Sequence, residues 1–421
     1  MMAEETIDYV CPIKFEYRFD RNAAKHSQAL TIRRALANAY AEKHQSKNKG
    51  AFEIESFELY PVPRAGNSGS EVFYLDIYHQ GQQQPNRFVA KFQDVKSTKK
   101  EYVSSLRAKR AQMCSEVEYE VDEVNDVGII ICELARVAHH CEFRVFFLDL
   151  KNSDEQCASA LSSILSNVGN QPNDQGERKN FVSDYEWYVD RKNQPLLRLD
   201  AIVRSGDDCQ GLSLLAQGVK SHYDRMVADF DHQVLPYLVH GDLHARNLMV
   251  NSKNANQTEL IDFGWVHDGH PAKDFVLMEA TIKYQLLREL LRDIRPDRAE
   301  NQHLSVEYFE SFERFMCRRG MWLPEFEEYK QSENIEQYLR EDQVQAVRRV
   351  YVCVAQIRQQ ARTALQRYIS LAGTDKYSIE QHYFASLFLV VLGLSAMPEM
   401  DMIWTLIALN KIGDRIWNSP N

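Results

Sequence analysis

The sequence predicts an α+β chain, with a small antiparallel β lobe followed by a larger, mainly helical lobe. Between Phe52 and Leu134 the apolar residues come in short runs and in period-two alternation, the pattern of strands. Beyond Leu134 they recur at three- and four-residue steps, the pattern of helices. A third observation marks the helical part. The polar string "HGDLHARN", His240 to Asn247, sits between the apolar shoulders "YLV" and "LMV".

The elements follow in order. Residues 22 to 44 read as a helix, because Ala29, Leu30, Ile32, Leu36, Ala37 and Tyr40 share one face; Gly50 ends that pattern. "FEIESFELYPV", "EVFYLDIY" and "RFVAKFQ" read as strands, the last two parted by the turn "HQGQQQPN". Residues 97 to 112 read as a helix. In "SEVEYEVDEV", Val117, Tyr119 and Val121 alternate with glutamates, so one strand face is apolar and the other acidic. "NDVG" then turns the chain into the apolar strand "IIICEL". Further helices are expected at 154–167, 211–229, 274–293, 305–318, 335–370, 379–397 and 401–417, with polar loops at 169–180 and 204–211. The expected domains are an N-terminal helical extension (1–50), a sheet lobe (51–135) and a helical lobe (136–421).

Composition excludes several classes. A net charge of −10 argues against a nucleic-acid binder. The basic stretch Lys91 to Arg110 reads better as a solvated helix face. The 8 cysteines form no Cys-x-x-Cys pair, which argues against a zinc ribbon and fits a reducing, cytoplasmic setting. The most apolar run, Phe384 to Met397, is shorter than the roughly 20 residues a membrane helix needs. It reads as a buried helix, and no membrane partner is expected.

The polar string carries the chemistry. Asp242 and Asn247 lie five residues apart on a loop. A second short strand, "ELIDFGWV", brings Asp262 followed by Phe263 and Gly264. Three oxygen-bearing side chains thus come from two adjacent hairpin elements, and hard cations such as Mg²⁺ take such ligands. Upstream, Gly66, Ser68, Gly69 and Ser70 form a turn before a strand, which could lay backbone N–H groups on phosphates. The same residues also suit an ordinary hairpin.

"HGDLHARN" with "IDFG" resembles the aminoglycoside phosphotransferase and choline kinase-like family, a branch of the protein-kinase-like fold. Gly241 favours the small-molecule branch, since protein kinases write His-Arg-Asp. "GHPAKDFVLMEA" is also similar to phosphotransferase-like modules of bacterial signalling and conflict proteins. The resemblance implies a two-lobe fold and ATP-dependent phosphoryl transfer to a hydroxyl, with GTP an open alternative. Asp242 would be the base, with His240 bracing the loop. Asn247 and Asp262 would hold Mg²⁺, and Asp274 would accept hydrogen bonds from the loop backbone. Lys91 in "RFVAKF" matches the phosphate-pairing lysine. Its carboxylate partner stays open between Glu101, the first acid downstream, and Glu116, Glu118 or Glu120. "IIICELA" resembles the hinge, where the backbone from Glu133 to Ala135 would meet adenine.

Two other readings compete. His240, His244, His267 and His270 with Asp242, Asp262 and Asp268 could form a metal-dependent hydrolase site, but Asn247 and Phe263-Gly264 would then be idle. A kinase-like scaffold or sensor without turnover is the stronger alternative, since fold resemblance does not fix activity. The helical extensions leave a protein partner open. The acceptor is not readable; Asp207, Asp208, Glu307 and Glu310 suit a cationic molecule or plain solvent equally.

Overall fold

A computed structural model of the chain describes residues 14–17, 54–61, 71–79, 86–110, 113, 117–133, 140–170, 172–173, 176–190, 194–205, 211–294, 304–373 and 376–418. Two units emerge, one of residues 1–140 with 261–266 and one of 141–260 with 267–421.

The first unit is built on a six-stranded sheet. Its strands are β1 (Lys14–Tyr17), β2 (Ile54–Pro61), β3 (Glu71–His79), β4 (Asn86–Gln93), β5 (Val117–Asp122) and β6 (Val127–Glu133), in the order β1-β2-β3-β4-β6-β5. All neighbours are antiparallel except β1, which runs parallel to β2. The expected strands are therefore present. β1 is an addition to the reading of residues 1–50 as a helical extension, because four residues are too few to show a period. The expected helix at 22–44 lies outside the described residues. Helix α1 (Val95–Arg110) packs on the sheet. Asp94 starts it: one carboxylate oxygen accepts the Ser97 N–H at 2.8 Å, satisfying a donor the first turn leaves over. Gly128 on β6 lets the helix come close, since a Cβ there would stand 2.0 Å from Thr98 Oγ1. From Lys96 onward the basic stretch proves to be a helix face, with Lys96, Lys99 and Lys100 exposed and Lys99 paired with Glu123, whereas Lys91 lies on β4.

The second unit is mainly helical. It holds β7 (His140–Glu142), whose first residue belongs to the first unit, then α2 (Phe143–Leu148), α3 (Asp154–Leu165), α4 (Phe181–Asp184), α5 (Glu186–Val189), α6 (Pro195–Ser205) and α7 (Leu212–Asp229). Strands β8 (Tyr237–Val239), β9 (Leu248–Asn251), β10 (Asn254–Leu260) and β11 (His267–Gly269) follow. They form two small sheets, β10-β9-β7 and β11-β8. The chain closes with α8 (Lys273–Ala280), α9 (Leu287–Ile294), α10 (Val306–Arg319), α11 (Phe326–Ser332), α12 (Glu341–Ala372), α13 (Ile379–Leu394) and α14 (Met402–Trp417).

The helical periodicity beyond Leu134 was legible, with three corrections. The expected helix at 274–293 is continuous but widens to a π-turn at Thr281–Leu286 between α8 and α9. The expected helix at 335–370 is a 3₁₀ turn, Ile335–Gln337, followed by α12, with the break at Arg340, whose backbone is extended (φ −75°, ψ 162°). Helices α2, α4, α5, α6 and α11 were not expected; at 4 to 11 residues they show little or no period. The apolar run is α13, whose residues from Phe384 to Leu394 are all buried. Among the described residues, no helix is long and apolar enough to cross a membrane.

Candidate active site

The loop between β8 and β9 belongs to the helical unit. Tyr237, Leu238 and Val239 are all buried, and they pair with Gly269, Asp268 and His267 of β11. This pairing fixes where the loop departs. Gly241 then takes a left-handed backbone, φ +77°, a conformation that favours glycine. The fully buried Asp274, in the first turn of α8, clamps this point. Its carboxylate accepts the N–H of His240 at 2.7 Å and of Gly241 at 2.8 Å. Burial pushes its carboxyl above the ordinary range, against the pull of those donors.

Farther along, Asn247 Nδ2 donates to the Asp242 carbonyl at 2.8 Å, and His244 N–H donates to the same oxygen at 3.0 Å. The loop is thus folded on itself, with the Asp242 side chain half-buried and 3.6 Å from His244 Nε2. Asn247 is buried, and with Nδ2 committed, Oδ1 is the atom its amide can offer to a cation. His240 is fully buried, while Arg246 is exposed. The β9–β10 hairpin pairs Leu248 with Leu260, and Asn247 immediately precedes it.

The second cluster lies in the sheet unit. Lys91 stands on central strand β4, between Val72 and Ile130. Its ammonium donates to Glu101 Oε2 and to Asp262 Oδ1, each at 2.9 Å. The open question of its carboxylate partner is resolved here for Glu101, which faces the sheet from α1 and also accepts from Gln93 at 2.9 Å. Burial would lower the Lys91 ammonium, but the Asp262 and Glu101 carboxylates outweigh it and hold it above its ordinary value. Burial raises the Glu101 carboxyl; Lys91 opposes that shift and Asp262 adds to it. Asp262 adopts a left-handed backbone, φ +63°, uncommon outside glycine. Gly264 leaves room beside it, since a Cβ there would lie 3.4 Å from Glu101 Oε2 and 3.6 Å from Asp262 Oδ1.

The other expected site residues are placed unevenly. Gly66, Ser68, Gly69, Ser70 and Ala135 lie outside the described residues, as do Asp207 and Asp208. The Glu133 backbone ends β6, paired with Phe88. The histidines of the hydrolase reading are engaged elsewhere. His267 Nε2 is 3.0 Å from Lys273 Nζ, and His270 is buried against Tyr185 and His382. Among the described residues, no group of three or more His, Cys, Asp or Glu side chains gathers to hold a metal ion.

Sequence reasoning missed the piece around α4 and α5. Asp184 accepts the His270 N–H at 2.7 Å and pairs with the buried Lys273 at 2.9 Å. Tyr188 donates its phenol to the Gly241 carbonyl at 2.7 Å. The nearest signal was the aromatic run "FVSDYEWYV", which names no partner by itself.

Residues 175–300 match the profile described as the phosphotransferase enzyme family. No curated protein matches the chain. Among solved structures, a glucosamine kinase is 11% identical, with 85% of this chain and 93% of that one covered at a TM-score of 0.41. A thermostable mutant of aminoglycoside phosphotransferase APH(4)-Ia, in ternary complex with ADP and hygromycin B, is 13% identical, with coverage of 88% and 96% and a TM-score of 0.41. A choline/ethanolamine kinase family protein from Mesorhizobium loti is 11% identical, with coverage of 90% and 99% and a TM-score of 0.34. The fold is α+β, a small mainly antiparallel sheet and a mainly helical part, and the segment that matches the phosphotransferase enzyme family profile, 175–300, contains the His-Gly-Asp loop, Asp262-Phe263-Gly264 and Asp274.

Proposed function

We propose that this chain is an ATP-dependent phosphotransferase that moves the γ-phosphoryl group to a hydroxyl of a small molecule. The observation that carries the reading is the Lys91 ammonium held between Glu101 and Asp262. A strand lysine paired with a helix carboxylate is the arrangement that kinase-type enzymes use to seat nucleotide phosphates.

The donors fit magnesium. Asp262 offers a carboxylate whose side chain is 35% exposed, and Asn247 offers its amide oxygen. Few protein oxygens, with phosphate and water completing the set, is the usual Mg²⁺ arrangement. When bound, the ion would neutralise charge on the phosphates. The chain's own residues would do the rest. Lys91 would contact phosphate oxygens. Asp242 would orient the acceptor hydroxyl and take its proton as the new O–P bond forms and the β–γ bridging bond breaks, releasing ADP. Asp274 would keep the loop in register. The reading includes a cytoplasmic setting, in keeping with thiols at Cys141, Cys157, Cys317 and Cys353 that form no disulfide among the described residues.

Calorimetric titration of ATP, with Mg²⁺ and with a chelator, tests the roles. Lys91→Ala should weaken binding in both conditions. Asp262→Ala should weaken it only with Mg²⁺, because without metal a carboxylate beside phosphate repels. If Asp262→Ala binds ATP in Mg²⁺ as the parent does, Asp262 is not a metal ligand and the reading fails. ATP binding without turnover would mark a sensor instead of an enzyme.

A further inference from the structure

Asp242 is held at both of its peptide groups. The peptide that follows it is fixed through its carbonyl, which accepts Asn247 Nδ2 at 2.8 Å and His244 N–H at 3.0 Å. The peptide that precedes it carries the Gly241 carbonyl, and that oxygen accepts the Tyr188 phenol at 2.7 Å. The other face of Gly241 is already tied, since its N–H goes to Asp274. A glycine with a left-handed backbone has the widest choice of conformations of any residue, so pinning its carbonyl removes a freedom that the sequence leaves open.

Tyr188 is itself located by a second contact. It is 1% exposed and rests on α13 at Gly393, where a Cβ would stand 2.3 Å from the Tyr188 carbonyl oxygen and 2.9 Å from its Cβ. A helix-interior glycine is poorer than alanine for helix formation, so Gly393 sacrifices local stability for this approach. Tyr185, in the same turn, donates to Ser386 of α13 at 2.6 Å and fastens the segment again.

We infer that Tyr188 is a positioning residue for phosphoryl transfer, setting the Gly241–Asp242 peptide and thereby the direction of the Asp242 carboxylate, with Gly393 as its seat. The inference rests on the reading of Asp242 as the base. The phenol does not touch the reacting atoms; it acts through the peptide.

The test uses the full chain and two variants that reach Tyr188 differently. Tyr188→Phe removes only the hydroxyl. Gly393→Ala keeps the hydroxyl and displaces the residue. Two readouts are taken: Mg·ATP hydrolysis with water as acceptor, and hydrogen–deuterium exchange of peptides covering 240–247. Loss of one buried hydrogen bond should lower kcat about tenfold while KM for ATP stays within about twofold. Exchange across 240–247 should quicken by about as much, with the rest of the helical unit at parent rates. A merely structural role would quicken exchange throughout that unit and give no split between kcat and KM. Parent-level exchange of the loop in both variants overturns the inference. If the parent shows no hydrolysis, or Asp242→Asn leaves hydrolysis intact, the phosphotransfer reading is what fails, and the exchange rates still decide whether Tyr188 sets the loop.

Discussion

The loop at 240–247 and the cluster around Lys91 use similar polar side chains, yet they are held by different means. In the loop, the bonded groups are backbone. The His240 and Gly241 amides and the Gly241 and Asp242 carbonyls are each met by a side chain, and three of the four by the buried Asp274 and Tyr188. Around Lys91 the bonded groups are side chains, one ammonium between two carboxylates, with Lys91 and Asp262 partly open to water. A third buried network marks the contrast. Glu279 and Glu313 face Arg358 and Lys283, two carboxylates for two cations, all fully buried. A closed, balanced network of that kind serves packing, and breaking it would strand a charge. The Lys91 cluster is more open, with the Asp262 side chain 35% exposed, and under the proposed function its partners would be exchanged for phosphate and metal. Under the proposed function, backbone clamps would fix where the acceptor is met, and side-chain ions would leave the nucleotide end adjustable.

The sharpest way to break this contrast is Asp242→Asn. The shape is kept and the charge lost, so the proton acceptance proposed for Asp242 would fail while both flanking peptides stay bonded. Phosphoryl transfer should fall by about 10²–10⁴-fold, the usual range for a general base, with the melting temperature unchanged. Turnover within twofold of the parent would show that Asp242 is not the base.

Asp274→Ala should behave otherwise, because it removes the clamp instead of the chemistry. Two buried N–H groups lose their acceptor, each at a cost of about 1–3 kcal/mol. Activity and melting temperature should drop together, as read by turnover and thermal melts on one preparation. A parent-like melting temperature would remove the clamp from the account.

The smallest effect concerns the core behind the loop. His232 stacks on Phe181, and both its ring nitrogens are buried without a hydrogen-bond partner among the described residues. Burial lowers its pKa from 6.5 to about 4, and lowers that of His382 to about 3. A folded pKa below the unfolded one means the fold refuses a proton that the unfolded chain accepts. The stability is therefore complete above about pH 6.5 and is lost as pH falls toward 4, by at most about 1.4 kcal/mol per pH unit for each ring. His232→Phe should make that acid loss shallower and leave stability at pH 7 unharmed. Urea unfolding at pH 7, 6 and 5 measures it, and equal slopes for parent and variant would refute the assignment.

What the sequence determined by itself was local. Period-two runs announced β2 to β5 and an unbroken apolar run announced β6, three-and-four periodicity announced α3, α7 and α12 to α14, and "HGDLHARN" with "IDFG" announced the loop and the Asp262 turn. Each of these signals lies within a few residues of what it specifies, since side-chain alternation and turn chemistry are short-range. Lys91 was legible as a strand lysine, but its choice of Glu101 was not, because four acids lay within reach along the chain. Tertiary structure alone decided which of them faces the sheet from α1. It alone carried Tyr188 across 53 residues to the Gly241 carbonyl, and Gly393 to the back of Tyr188. Neither residue has a pattern to betray it. A hydroxyl that bonds a distant carbonyl, or a glycine that makes room for a distant backbone, takes its meaning from packing, and packing is settled only when the helical unit closes around its core.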